Sequence, residues 1–232
     1  ARTGRWKKGY DAYAEELTAE IYLDTYKDIK TPLFIMTDDG KGMSRNDIFE
    51  KWLVLGTDSK SRAKLEERES EETLWKKPRI KAGEKGIGRL SVAFLGNPML
   101  MLTKKQGHSL RALFFDWRLL ENYNLFLDDV DIPVEDIEDK NEFLDKFELL
   151  KKSFLKNFEK DSYDKATPIW EEGKQFELKN EIESSVLNSE LPDFLIQNVL
   201  EDLIDIENHH GTKFIIFEPI DQIVELGKKD ED

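Results

Sequence analysis

The sequence predicts an α/β domain over residues 1–120 and 209–222, interrupted by an acidic, mainly helical insertion over 121–208. Three observations carry that expectation. Apolar runs of strand length alternate with segments whose apolar residues recur at helical spacing. Two glycine-spaced segments, Asp38-Asp39-Gly40-Lys41-Gly42-Met43 and Gly83-Glu84-Lys85-Gly86-Ile87-Gly88, stand on either side of a long, mostly charged stretch. The charge is also unevenly placed: residues 1–120 carry +5, 121–208 carry -16 and 209–232 carry -3 of the net -14.

Residues up to about Glu16 read as a helix, and the alternating run Leu17–Leu23 reads as a strand. Pro32–Thr37 is a second, more buried strand. Ser44 stands where an N-cap belongs, with Asp47 three residues on and Ile48, Phe49, Trp52 and Leu53 at helical spacing. Residues 57–82 are too polar for a core and read as a flexible loop or solvated helix. A helix from Gly86 carries Leu90, Val92, Phe94 and Leu95 to a stop at Gly96. Strands over Met99–Thr103 and Leu110–Phe115 flank a hairpin-like turn at Lys104–His108.

In the acidic stretch Phe143, Phe147, Leu150, Phe154 and Phe158 recur at three and four residues, as do Leu195, Val199 and Leu203, predicting amphipathic helices. Their aromatic stripe reads as core or interface and their acidity as a solvated face. Gly211–Phe217 returns to strand. Residues 223–232 read as a charged tail or a linker to further domains, and the chain as a piece of a longer protein.

Composition narrows the function. With 232 residues and 39% hydrophobic content a sizeable core is available. No apolar run approaches the roughly 18 residues that span a bilayer, and no leader pattern opens the chain, so no membrane contact and a cytoplasmic location are expected. The absence of cysteine removes disulfides, thiol nucleophiles and thiolate-bound metals. His209-His210 reads as a polar turn rather than a ligand pair, because adjacent side chains diverge. An acidic surface repels phosphate backbones, so nucleic acid is not indicated.

The first glycine segment is at least a tight turn between strand and helix. It also offers a carboxylate, Asp38, to accept from an amino group, glycines that let main chain lie against a flat ring, and Met43 as an apolar floor. The second segment could be a flexible linker. At a helix N-terminus, however, its free N–H groups suit a polyphosphate, with Lys85 the nearest cation. It is neither a Walker loop nor a dinucleotide fingerprint.

Between these segments lies Leu55-Gly56-Thr57-Asp58-Ser59-Lys60-Ser61, and Gly211-Thr212 opens the last strand. In this order the four elements resemble the GHKL superfamily of gyrase B subunits, ninety-kilodalton heat-shock chaperones, histidine kinases, MutL and MORC-type ATPases, over about 1–105 and 209–218. The Gly-Glu-Lys-Gly-Ile-Gly-Arg form looks closest to MORC-like and chaperone-like members. The resemblance implies a two-layer sandwich of a mixed sheet and helices, the Bergerat ATP-binding fold, with ATP and magnesium as its ligands. It implies that Asp38 reads the adenine amino group, that Gly40, Gly42 and Met43 lie against the base, and that Thr212 assists Asp38 through water. It further implies that 57–85 forms the ATP lid, with Lys60 and Lys85 near the phosphates and Gly83, Gly86, Ile87 and Gly88 closing the phosphate side.

The first helix departs from the family pattern. Aligned on Asp11-Ala12, with Asp11 among the nucleotide-binding positions, the places of the water-orienting glutamate and the magnesium-binding asparagine hold Gly4 and Lys8. Glycine supplies no base, and ammonium does not ligate a cation. Three readings follow: an ATP-binding and ATP-hydrolysing switch within a larger protein, dimerising on ATP; a catalytically silent nucleotide-binding module whose insertion recruits a protein partner; and a histidine-kinase catalytic domain, which would need a phosphoacceptor helix elsewhere.

Overall fold

The computed structural model describes residues 2–8, 15–24, 29–53, 87–126, 129–160, 168–170, 173–200 and 209–228. Seven strands among them form one sheet: β1 Arg2–Lys8, β2 Glu15–Tyr22, β3 Leu33–Asp38, β4 Met99–Lys104, β5 Leu110–Phe115, β6 Val134–Ile137 and β7 Gly211–Ile216. Their order in space is β1-β2-β3-β7-β4-β5-β6. β4, β5 and β7 are buried at every residue, which is why Met99–Leu102, Ala112–Phe115 and Phe214–Ile216 are continuous apolar runs rather than alternating ones.

The architecture is the expected α/β one, with one correction to the sheet. The expected mixed sheet is antiparallel at every described pairing. β3 and β4 do run the same way, as a strand-helix-strand connection suggests. They are not neighbours, however, because β7, from the far end of the chain, lies between them and opposes both.

Two strands differ from the sequence reading. Residues 2–8, expected as helix, form β1, paired with β2 from Arg2 opposite Ile21 to Lys8 opposite Glu15. The segment Arg-Thr-Gly-Arg-Trp-Lys-Lys has no apolar stripe at helical spacing, so the partner strand decides its conformation. Within 121–208, Val134–Ile137 adds β6 to β5. Its two central acids conceal a strand whose ends, Val134 and Ile137, are buried.

The described helices of the acidic stretch are α2 Phe143–Leu155, at the first predicted stripe, α3 Gly173–Asn188, which neither stripe marked, and α4 Asp193–Leu200, at the second, after a separate short helix, α1 Arg45–Asp47. The aromatic stripe is core. Phe114 of β5 meets Phe147 edge-on at 5.9 Å and Phe154 at 5.8 Å, while Phe147 stacks on Phe217 at 5.6 Å. Such contacts add to the area that these rings bury. Asp139 and Glu142 form a capping box just before α2, satisfying amides that the helix cannot.

Residues 223–228 of the stretch expected as a charged tail belong to α5 Asp221–Lys228, with Ile223 and Gly227 buried. Gly227 lies against Ile21 and Leu23, where a side chain would crowd both. Because Phe34 opposes Ile21 and alternate residues share a face, α5 packs on the side of the sheet to which Asp38 also belongs. The rings of α2 cover the opposite face. Buried Asp116 at the end of β5 holds Arg118 through two bonds, 3.0 Å from Nε and 2.6 Å from Nη2, and Arg118 reaches Glu181 of α3 at 2.8 Å. Burial opposes the charge on Arg118, but its bonds to Asp116 and Glu181 and the charge of Glu218 outweigh it and raise the affinity for the proton.

Arg45–Phe94 forms a separate compact unit. Within it α1 follows Ser44 directly, as the capping pattern predicts, and continues as a wider π-helical turn over Ile48–Trp52, with Leu53 N–H reaching the Ile48 carbonyl at 2.8 Å. Ile87–Phe94 winds as a tight 3-10 helix where a helix ending near Gly96 was expected.

Candidate functional site

The end of β3 is where the chain leaves the core: Leu33, Phe34 and Ile35 are buried, and Met36, Thr37 and Asp38 only partly. Asp38 turns its carboxylate back on its own chain, accepting from Gly40 N–H at 2.9 Å. This is the local bond that makes Asp-x-Gly a turn. Gly40 is buried, and its carbonyl accepts from His210 Nδ1 at 2.8 Å. Gly42 has φ +60, and a β-carbon there would overlap the Lys104 carbonyl. At the end of the turn Met43 N–H donates to Thr103 Oγ1 at 2.9 Å.

The opposite wall comes from β7. Gly211 lies against the main chain of Asp38 with φ +148, so the two strands close up where they begin and end. In register, Asp38 faces Thr212 and Thr212 faces Thr103, forming one row across β3, β7 and β4. Cross-strand partners point to the same side. The two threonine hydroxyls are 3.0 Å apart. Thr103 lies three residues beyond Leu100, the partner of Phe114, so the row is on the face opposite the aromatic core.

The structure thus gathers Asp38, Gly40, Gly42, Met43 and Thr212, five of the residues that the sequence selects. It adds two that the sequence reading did not place here. Thr103 is fully buried at the end of Met-Leu-Met-Leu-Thr-Lys, where a lone hydroxyl after four apolar residues is the only trace of it. His210, directly before β7, belongs to no regular element and braces Gly40. Among the described residues no three His, Cys, Asp or Glu side chains converge to hold a metal.

Asp11, Lys60, Gly83, Lys85 and Gly86, with the expected lid over 57–85, lie outside the described residues. Ile87 and Gly88 open the 3-10 helix of the Arg45–Phe94 unit. Gly4 and Lys8, aligned with helix positions, are on β1, so they do not share the helical face which that alignment requires.

Comparison with curated proteins gave no match. A family model described as histidine kinase-, DNA gyrase B-, and HSP90-like ATPase matches residues 7–147, a span holding β2 to β6 and the glycine turn after β3. That span is more than half of the chain, which therefore belongs to the histidine kinase-, DNA gyrase B- and HSP90-like ATPase family.

Proposed function

We propose that this chain binds ATP, with the purine amino group at Asp38. The observation that carries the reading is the convergence of a half-buried carboxylate, a glycine turn with φ +60 at Gly42 and the Gly211-Thr212 strand opening. Ionised, Asp38 is an acceptor only, so it suits an amino group and repels a carbonyl. Gly40 and Gly42 carry no side chain and Met43 is apolar, which suits a flat ring. Family membership supports the same ligand. Magnesium would travel with the phosphates, and none of the described residues is assigned to it.

In a longer protein this module would act as an ATP-dependent switch, with ATP-linked dimerisation as its mechanical output. The segment 121–208, carrying -16, would offer an acidic surface to a protein partner and none to nucleic acid. Asp38→Asn tests the ligand. It leaves an amide donor opposed to the amino group, and ADP affinity measured by calorimetry is expected to fall at least about tenfold. An unchanged affinity in a folded variant would remove Asp38 from the base.

A second reading, binding without hydrolysis, is favoured by Gly4 and Lys8 at the aligned catalytic positions and by their place on a strand. Single-turnover phosphate release with magnesium separates the two. Release that stays at the rate of free ATP supports a silent module, and brisk release puts the general base elsewhere in the chain.

A further inference from the structure

We infer that Thr103 sets the direction of the Thr212 hydroxyl and thereby makes the base site selective for an amino over a keto group. The inference rests on the reading that Asp38 and Thr212 face the purine edge.

A threonine hydroxyl has one proton to give and two lone pairs to accept with. Thr103 Oγ1 has three partners. Met43 N–H, at 2.9 Å, can only donate. The Gly211 carbonyl, at 3.3 Å, can only accept. With the proton assigned to that carbonyl, the two partners use one lone pair and the only proton. What remains on Thr103 is one lone pair, and Thr212 Oγ1 at 3.0 Å fills it as donor. At 0% exposure Thr103 is closed off from bulk solvent.

Thr212 therefore spends its proton inward and keeps only lone pairs for what lies beside it. Its cross-strand partner is Asp38, whose ionised carboxylate is likewise an acceptor. Two acceptors side by side match the two protons of an exocyclic amino group, met directly or through a bridging water. They oppose a carbonyl oxygen at the same place. Without Thr103 the Thr212 hydroxyl can rotate and donate, and the row loses its single polarity. Thr103 touches no ligand itself, so it acts as a positioning residue.

The experiment is calorimetric titration with ADP and with IDP, which carries a 6-keto group, on the unaltered chain, Thr103→Val and Thr103→Ser. Thr103→Val keeps the shape without the hydroxyl. ADP affinity should fall about five- to tenfold, and the preference for ADP over IDP should shrink by a similar factor. Thr103→Ser should keep both within about twofold. Hydrogen exchange of the Met43 amide, followed without nucleotide, should quicken in Thr103→Val alone. An unchanged ADP-to-IDP preference in folded Thr103→Val overturns the inference, as does equal loss in Thr103→Ser. If Thr103→Val does not fold, Thr212→Val removes the acceptor directly, and an undiminished preference there is equally fatal. Asp38→Asn separates the two levels: unchanged ADP affinity in that variant ends the base reading itself, whereas a loss there beside an unmoved Thr103→Val preference ends only this inference.

Discussion

Gly211 and Asp38 meet main chain to main chain, so closely that a β-carbon on Gly211 would overlap the Asp38 carbonyl oxygen. This contact brings the start of β7 to the end of β3 and sets Thr212 opposite Asp38. The candidate site thus depends on the absence of a side chain as much as on the groups present.

Glycine replacements should separate backbone strain from collision. Gly107→Ala, at φ +74 with open space around it, carries only the left-handed cost of about 1–2 kcal/mol. Gly42→Ala adds a collision with the main chain of Lys104, and a loss of at least about 3 kcal/mol is expected. Urea denaturation of both variants measures the difference. Equal losses would mean that the turn yields freely.

Phe147 joins α2 to the sheet through both Phe114 and Phe217. Truncation by Phe147→Ala should cost about 3–5 kcal/mol, whereas Leu149→Ala, at a 44% exposed position two residues on, should stay within about 0.5 kcal/mol. A similar loss for both would show that the aromatic cluster is not the anchor of the acidic stretch.

Asp116→Ala should destabilise by about 2–4 kcal/mol, since it removes three bonds from Arg118, two from the side chain and one from the backbone N–H. Adding Arg118→Met should recover part of the loss by removing the stranded charge. If the double variant is no better than the single one, Glu181 and Glu218 already compensate Arg118 fully.

Glu142 makes α2 sensitive to acid. The backbone N–H groups of Glu138, at 2.6 Å, and Asp139, at 3.3 Å, hold its carboxyl below the ordinary value of 4.5. Its folded value is the lower one, so its contribution is complete above pH 4.5 and disappears as pH falls through that depressed value. Glu142→Gln should flatten the acid limb of the stability curve. Identical acid limbs would remove Glu142 as a source of it.

What the sequence could show was local. Turn residues announce their own geometry, so Asp38, Gly40 and Gly42 were legible from Asp-x-Gly-x-Gly after an apolar run, as Ser44 was before α1. The period of Phe143, Phe147, Leu150 and Phe154 likewise identified α2 and its buried face. β1 and β6 escaped because neither has an apolar pattern long enough to stand out, and each is made a strand by the ladder beside it.

Neighbour relations were decided only by the tertiary structure. Nothing near residue 212 states that β7 will lie between β3 and β4, yet that placement sets Thr212 between Asp38 and Thr103. The sequence by itself determined the carboxylate, the glycine turn, the central strands and the acidic helices. Tertiary structure decided that the sheet is antiparallel, that Thr103 and His210 brace the turn, and that the Thr212 hydroxyl lies within hydrogen-bond reach of Thr103. The physical reason is that turn geometry and helical period are written over a few consecutive residues, whereas strand pairing and the balance of donors and acceptors exist only once distant segments meet.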